Sequence, residues 1–257
     1  MHILLPPSET KRLGGGDVCV FEQLDNDAEL RAARQDVRVA AAIVSANEVQ
    51  AVKALGLGKN NRADREFNLD LDASPCLPAI ERYTGVLYDA LDVDSLTSQH
   101  RKWITHHVSI QSAMFGMIGA DNHIPAYRLS ASSRLSPLGR SLKQVWREAH
   151  AEIDWQQWQL ILDARSGDYA GLAPVTSDNV YTLRVFTRAE DGTVSALNHF
   201  NKAAKGDLVR RLALAGANIT HASELLQWSQ SESIELAIDD EQRFVTLVTQ
   251  LGAPVAA

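Results

Sequence analysis

The first apolar run, His2-Ile-Leu-Leu-Pro6, is short and is stopped by two prolines, so it reads as a buried strand ending at Pro6. A polar, glycine-rich stretch, SETKRLGGGD, follows as a loop. From Asn26 to about Ala46 the chain is rich in Ala, Leu and Arg, which predicts a helix with Asn26 or Asp27 as its N-cap. A second helix, NEVQAVKAL, runs into GLGKNNRAD. Further helices are predicted over Cys76–Leu91, with Pro78 in the first turn, over Pro137–Ile153, and from about Phe200 to Ala215. Strands are predicted over His106–Phe115, over Trp158–Ala164, which empties into RSGDYAGLAP, and over Gln242–Gln250. VYTLRVFTR and TVSALNHF flank Ala189-Glu-Asp-Gly192 as a hairpin. Strands and helices mix without strict alternation, so the expected fold is mixed α/β (α+β): a central mixed sheet surrounded by helices. No repeat, low-complexity tract or linker interrupts residues 1–257, which read as a single domain.

Composition adds bounds. A chain of 257 residues can bury roughly 70–75% of its unfolded surface. With 45% hydrophobic and 22% charged residues it is ordinary globular material. No apolar run approaches the roughly 20 residues of a membrane span, and no basic segment precedes the first apolar one, so a cytoplasmic protein without membrane contact is expected. Cys19 and Cys76 lie far apart, and each is expected to be a buried, inert thiol. The eight histidines are scattered and no C-x-x-C or H-E-x-x-H occurs, so no metal or cofactor site is predicted. His106 and His107, adjacent on a predicted strand, would face opposite ways. Gly14–Gly16 lacks the G-K-[ST] ending of a P-loop.

The net charge of −7 makes any concentration of cations informative. NHFNKAAKGDLVRRLAL, residues 198–214, places Lys202, Lys205, Arg210 and Arg211 around Gly206. Lys202 and Lys205 are spaced to share a helix face in the first turns, where cations are unfavourable unless an anion joins them. A solvated basic face fits the same residues. ARSGDYAG, residues 164–171, would deliver Ser166, Asp168 and Tyr169 to one edge of a sheet. A Ser or Asx turn capping a helix fits it equally. Arg128 and Arg134 in a polar loop suit an oxyanion, or a surface ion pair. KALGLGKNNRADR, residues 53–65, has the layout of a helix-hairpin-helix: Gly56 and Gly58 would allow a tight turn, the backbone N–H groups opening the second helix would meet a DNA phosphate, and Lys53, Lys59, Arg62 and Arg65 would add charge for that contact. An ordinary glycine cap between two helices is the alternative.

Together the segments ILLPPSETK, YTGVLYDAL, FGMIGADNHIPAYRL, ILDARSGDYAGLAP and NKAAKGDLVRRLA resemble the YaaA family of bacterial peroxide-stress proteins. They lie in family order over nearly the whole chain. The opening resembles the Pro-Ser-Glu branch; Glu9 stands where the other branch has a lysine, with Lys11 nearby. The resemblance implies a cytoplasmic protein of the oxidative-stress response, associated with lowering free iron and limiting oxidative DNA damage. It also implies a mixed α/β fold with a helix-hairpin-helix element and a positively charged cleft that binds DNA. It carries over as motif positions Arg128, Ser166, Tyr169, Lys202, Lys205 and Gly206.

Two functions are therefore expected from this chain. In the first, DNA docks without sequence specificity in a cationic cleft formed by Leu55–Arg65 and the Lys202–Arg211 helix. In the second, the same motifs form a pocket for a nucleotide-like or phosphorylated small molecule. Lys202 or Lys205 would hold an anion there, Tyr169 or Asp168 would move a proton, and Ser166 would bind or attack.

Overall fold

The computed structural model describes residues 1–16, 21–24, 28–188, 191–196 and 201–250. The expected caps Asn26 and Asp27, the thiol Cys19 and the strand end Asn198–Phe200 lie outside them. The strands are β1 His2–Leu5, β2 Cys76–Pro78, β3 Val108–Ser112, β4 Gly116–Gly119, β5 His123–Pro125, β6 Ile161–Asp163, β7 Val180–Arg188, β8 Val194–Ala196, β9 Glu235–Asp239 and β10 Phe244–Val248. The α-helices are α1 Phe21–Leu24, α2 Ala28–Ala46, α3 Glu48–Leu55, α4 Ala79–Arg82, α5 Val86–Leu91, α6 Ser98–His107, α7 Leu142–Ala149, α8 Gly167–Ala170, α9 Asn201–Ala215 and α10 Ala222–Ser231.

The main sheet has eight strands in the order β4-β3-β1-β6-β7-β10-β9, with β8 also paired to β7. β3, β1, β6, β7 and β10 run parallel, while β4, β8 and β9 are antiparallel additions. This is the mixed sheet with surrounding helices that the sequence predicts. β1, β3 and β6 are buried at every position, as parallel strands covered on both faces must be. Ile3 and Leu5 join the large core, whereas Leu4 packs with Trp155 and Ile161 on the other face.

Three local expectations change. Cys76–Leu91 is not one helix but strand β2, helix α4, a break at Tyr83–Gly85, and helix α5. Gly85 has φ 96°, a value that ends a right-handed helix and suits glycine. His106 and His107 close α6 and do not begin a strand; β3 starts at Val108. The helix predicted from Pro137 begins only at Leu142. There Ser141 and Gln144 form a reciprocal capping box, Ser141 Oγ accepting from the Gln144 N–H at 3.2 Å. Cys76 is disulfide-bonded, not the inert thiol expected. Among the described residues no helix is long and apolar enough to cross a membrane.

Candidate functional site

The chain adds β3 and β4 on one side of β1 and later returns to add β6 and β7 on the other. The order thus reverses at β1, and the carboxyl ends of β1, β3 and β6 open onto a common edge. That is the place where open α/β sheets bind ligands. Prolines 6 and 7 end β1, and the loop Ser8–Arg12 is laid against Arg82–Thr84. Lys11 bridges Tyr83, the Arg12 N–H donates to the Arg82 carbonyl at 2.8 Å, and the Thr84 N–H donates to the Thr10 carbonyl at 3.2 Å. Arg82 is fully buried and donates to the carbonyls of Ile124 and Pro75 at 3.0 and 2.8 Å, and to that of Arg12, which pins the loop from beneath.

This turns the Lys11 side chain inward. Its Nζ donates to the carbonyls of Ser8 and Glu9 at 3.0 and 3.3 Å and lies 4.0 Å from the centre of the Tyr127 ring and 5.5 Å from that of Tyr83. Lys11 has no carboxylate within ion-pair distance among the described residues. Burial, and then Arg128, pull its pKa from 10.5 down to about 7, against the smaller pull of Glu9 and Asp64. The two aromatic faces favour the charged form. The amine therefore sits where both protonation states are accessible at neutral pH.

Beside it runs a hydrogen-bonded chain of hydroxyls. Ser112 Oγ, at the end of β3, accepts from the N–H groups of Met114 and Phe115, each at 3.1 Å. With both lone pairs used, its proton goes to Tyr127 Oη at 2.9 Å, and Tyr127 in turn donates to Tyr83 Oη at 2.8 Å. The Tyr88 hydroxyl donates to the Pro6 carbonyl at 2.8 Å. Burial raises the pKa of Tyr83, Tyr88, Tyr127 and Tyr169 above the usual phenol value, so these groups stay protonated and act as donors.

Arg128 forms the polar wall. Its backbone is held by Asn68, whose side chain accepts from the Arg128 N–H and donates to its carbonyl, both at 2.8 Å. Its guanidinium pairs with Glu9 at 3.0 Å and lies 3.9 Å from Asp64. The Arg128 side chain is 10% exposed and that of Glu9 64%, so a fixed, sheltered cation meets a carboxylate that solvent reaches. Tyr169 lies within electrostatic reach of both Arg128 and Tyr127.

Of the sequence-selected residues, the structure brings Arg128, Tyr169, Ser166 and Lys205 to this edge. Lys205 is buried and donates to the Ala164 carbonyl at 2.8 Å, directly after β6; burial lowers its pKa, Asp163 opposes, and Lys202 adds to the lowering. Lys202, three residues earlier on α9, is exposed, so the two lysines divide between surface and interior. Ser166 occupies the N-cap position of α8 yet makes no capping bond, which leaves its exposed hydroxyl available and sets aside the helix-capping alternative. Asp168 is exposed beside it.

Two other selections have structural work instead. Gly206 is buried where α9 crosses α5, and a Cβ there would lie 2.0 Å from the Leu87 carbonyl oxygen, so it is a packing glycine with no surface to offer an anion. Arg210 donates to the carbonyls of Leu91 and Asp92 at 3.0 and 2.9 Å and to Ser95 Oγ at 2.8 Å. It caps α5 and is not free for DNA. Arg211 pairs with Asp207 at 2.7 Å.

The two-glycine segment is a helix, a turn and a 3-10 helix over Lys59–Asn68, kinked at Asn61, not a pair of regular α-helices. Gly56 takes φ 65° and caps α3, whereas Gly58 is extended and its N–H donates to Asn61 Oδ1 at 2.6 Å. Lys53 and Lys59 are exposed without a carboxylate partner among the described residues, and Arg62 lies 3.8 Å from Glu48. A groove of about 400 Å³ runs beside the turn, where Lys53 and Gly56 face Ser132, Ser133, Arg134 and Ser136. The 3-10 helix that follows this turn reaches the inner site, because its Asp64 and Asn68 are residues that meet Arg128.

The family model for peroxide stress protein YaaA matches residues 1–235. The chain belongs to the YaaA family. It is 38% identical over 239 residues to a UPF0246 protein of Corynebacterium glutamicum, covering 91% of this chain and 94% of that protein. A UPF0246 protein of Corynebacterium efficiens is 34% identical over 250 residues, 95% of this chain and 97% of its own. One from Streptomyces coelicolor is 33% identical over 236 residues, 88% of each. In this YaaA-family chain, Tyr83, Tyr127 and Ser112 are not among the residues the sequence singles out, and Lys11 enters there only as a neighbour of Glu9. The signal for Lys11 was present: SETK follows the end of a buried strand, as RSGDY does. The tyrosines and Ser112 meet only through folding, from positions 15 to 44 residues apart.

Proposed function

We propose that this YaaA-family protein acts in peroxide stress by binding duplex or branched DNA through backbone contacts, and so helps to limit iron-driven oxidative damage to it. The observation that carries this reading is the groove beside the Gly56 turn. Lys53 and Arg134 flank it, neither with a carboxylate partner among the described residues, and Gln50 and exposed Ser132 and Ser136 line it beside Val44, Ala54 and Leu55. Paired donors and cations without internal anions suit phosphodiester oxygens. Lys59 extends the positive strip along the surface. Affinity for duplex and four-way-junction DNA, measured across salt concentrations, tests this. Binding should weaken steeply with salt, and replacing Lys53, Lys59 and Arg134 with alanine should lower the log–log slope by about 0.9 per lost contact. A flat profile removes the reading. A nicking assay with ferrous iron and peroxide tests the protective part: the triple variant should protect plasmid less than the parent. Among the described residues no group of three or more His, Cys, Asp or Glu side chains could hold a metal ion, and the proposal invokes none.

A second reading, an enzyme acting on a nucleotide-like or phosphorylated small molecule, is favoured by the inner site. Catalysis needs groups that converge and can exchange protons, and Lys11 with the Ser112–Tyr127–Tyr83 chain is such a set. Tyr169, held protonated, would serve as a donor in it.

A further inference from the structure

The loop after β1 turns its backbone toward Lys11. Two carbonyls, those of Ser8 and Glu9, accept from one nitrogen, and two tyrosine rings lie beneath it. A neutral amine has two N–H groups, enough for both carbonyls, and keeps a lone pair. A permanent structural ammonium would be expected to have a carboxylate partner, and none lies within ion-pair distance among the described residues. Beside it, Arg128 holds the exposed carboxylate of Glu9, an internal anion that an incoming phosphate can replace. The hydroxyl chain from Ser112 ends at Tyr83, whose own proton has no acceptor among the described residues.

We propose that Lys11 is a carbonyl-reactive amine that forms an imine with an aldehyde carried next to a phosphate group, the phosphate exchanging for Glu9 on Arg128. The Lys11 nitrogen lone pair attacks the aldehyde carbon and the carbonyl electrons move onto oxygen. That oxygen takes a proton from the nitrogen, giving a carbinolamine. A second proton, from Tyr83 or water, lets hydroxide leave as water, the nitrogen lone pair forms the C=N bond of a protonated imine, and its N–H proton returns to the group that supplied the second one. Amine and aldehyde thus give imine and one water, with no oxidant or reductant. Burial of the amine supports this chemistry by keeping a large neutral fraction at neutral pH. The aldehyde can come from two sources: the ring-opened sugar of an abasic site in DNA, or a free aldehyde phosphate. The DNA source rests on the binding reading above and the free source does not.

Cyanoborohydride trapping tests this. The full-length protein is incubated at pH 7.5 with an abasic-site duplex, with glyceraldehyde 3-phosphate, or with propionaldehyde, and the adduct is mapped by peptide mass spectrometry. Lys11 should be labelled about tenfold or more faster than exposed Lys53, Lys59 or Lys202 by at least one phosphate-bearing probe. Lys11→Arg should abolish that adduct, and Glu9→Gln should speed trapping of the phosphate probes but not of propionaldehyde. Labelling by the duplex alone or by the small phosphate alone supports the proposal and names the source. Even labelling of all exposed lysines, or an unchanged adduct in Lys11→Arg, overturns it. Mapping on the parent protein separates selective from even labelling even where the Lys11→Arg variant does not fold. Binding of an intact duplex, measured separately, shows whether an absent duplex adduct reflects lost DNA affinity or lost chemistry.

Discussion

Two serines at helix starts show how one residue type divides between stability and chemistry. Ser141 accepts from the Gln144 N–H at 3.2 Å while the Gln144 side chain accepts from the Ser141 N–H at 3.0 Å, so both ends of the box are engaged. Ser166 holds the same position on α8 and makes no capping bond. Ser141→Ala should cost about 1 kcal/mol in urea unfolding. Ser166→Ala should stay within about 0.5 kcal/mol. Any larger loss at Ser166 would assign it a structural role and withdraw it from the candidate site. Arg82 and Arg34 make the same distinction among cations. Each commits its guanidinium to backbone carbonyls from separate segments and is buried, so neither is available to a ligand.

At the scale of elements, the site depends on how closely α9 approaches α5. Gly206 lets the α9 backbone reach the Leu87 carbonyl, and Arg210 then caps the end of α5 from the same helix. Gly206→Ala would force the helices apart, with an expected loss of about 1–3 kcal/mol in chemical denaturation. Because Lys205 precedes it, its reach to the Ala164 carbonyl should loosen as well. Gly206→Ala with parental stability would show that α9 shifts freely and that Lys205 is not fixed by this contact. How far the sequence reveals such elements follows from the range of their causes. β1, α2, α3, the β7–β8 hairpin, α9 and β10 are legible because apolar runs, helix formers or turn residues specify them locally. β4, β5, α6, α10 and β9 are not, since short or polar segments take their form from the partners they pair with or pack on. The candidate site divides likewise. Arg128, Ser166, Tyr169 and Lys205 stand in motifs, whereas the tyrosine–serine chain exists only once β3, the β5 loop and the α4–α5 break converge.

For the whole molecule, buried titratable groups set a window of stability in pH. His150 must be neutral: its Nε2 accepts from the Met117 N–H at 3.1 Å while Nδ1 lies 2.6 Å from the Trp146 carbonyl. Burial depresses its pKa from 6.5 to about 4, and likewise that of His2, stacked 4.3 Å from Trp158. The unfolded chain therefore binds more protons than the folded one below pH 6.5. Stability is lost as pH falls from 6.5 through 4, by roughly 3 kcal/mol per histidine at the limit. Lys11 follows the same sign at higher pH: its folded pKa of about 7 lies below 10.5, so its contribution rises with pH between those values. The four tyrosines of the inner site oppose it. Their folded pKa values lie above 10.0, so the stability they provide is present below pH 10 and lost above it. Urea midpoints measured across pH should therefore climb through the acid range, climb further above neutrality and turn down past about pH 10. His150→Gln should flatten the acid limb, and Lys11→Met should flatten the climb above pH 7 while leaving the acid limb intact. A Lys11→Met curve parallel to the parent's would mean that the amine stays charged through neutrality, and the inner site would then be a fixed cation and not a proton-exchanging one.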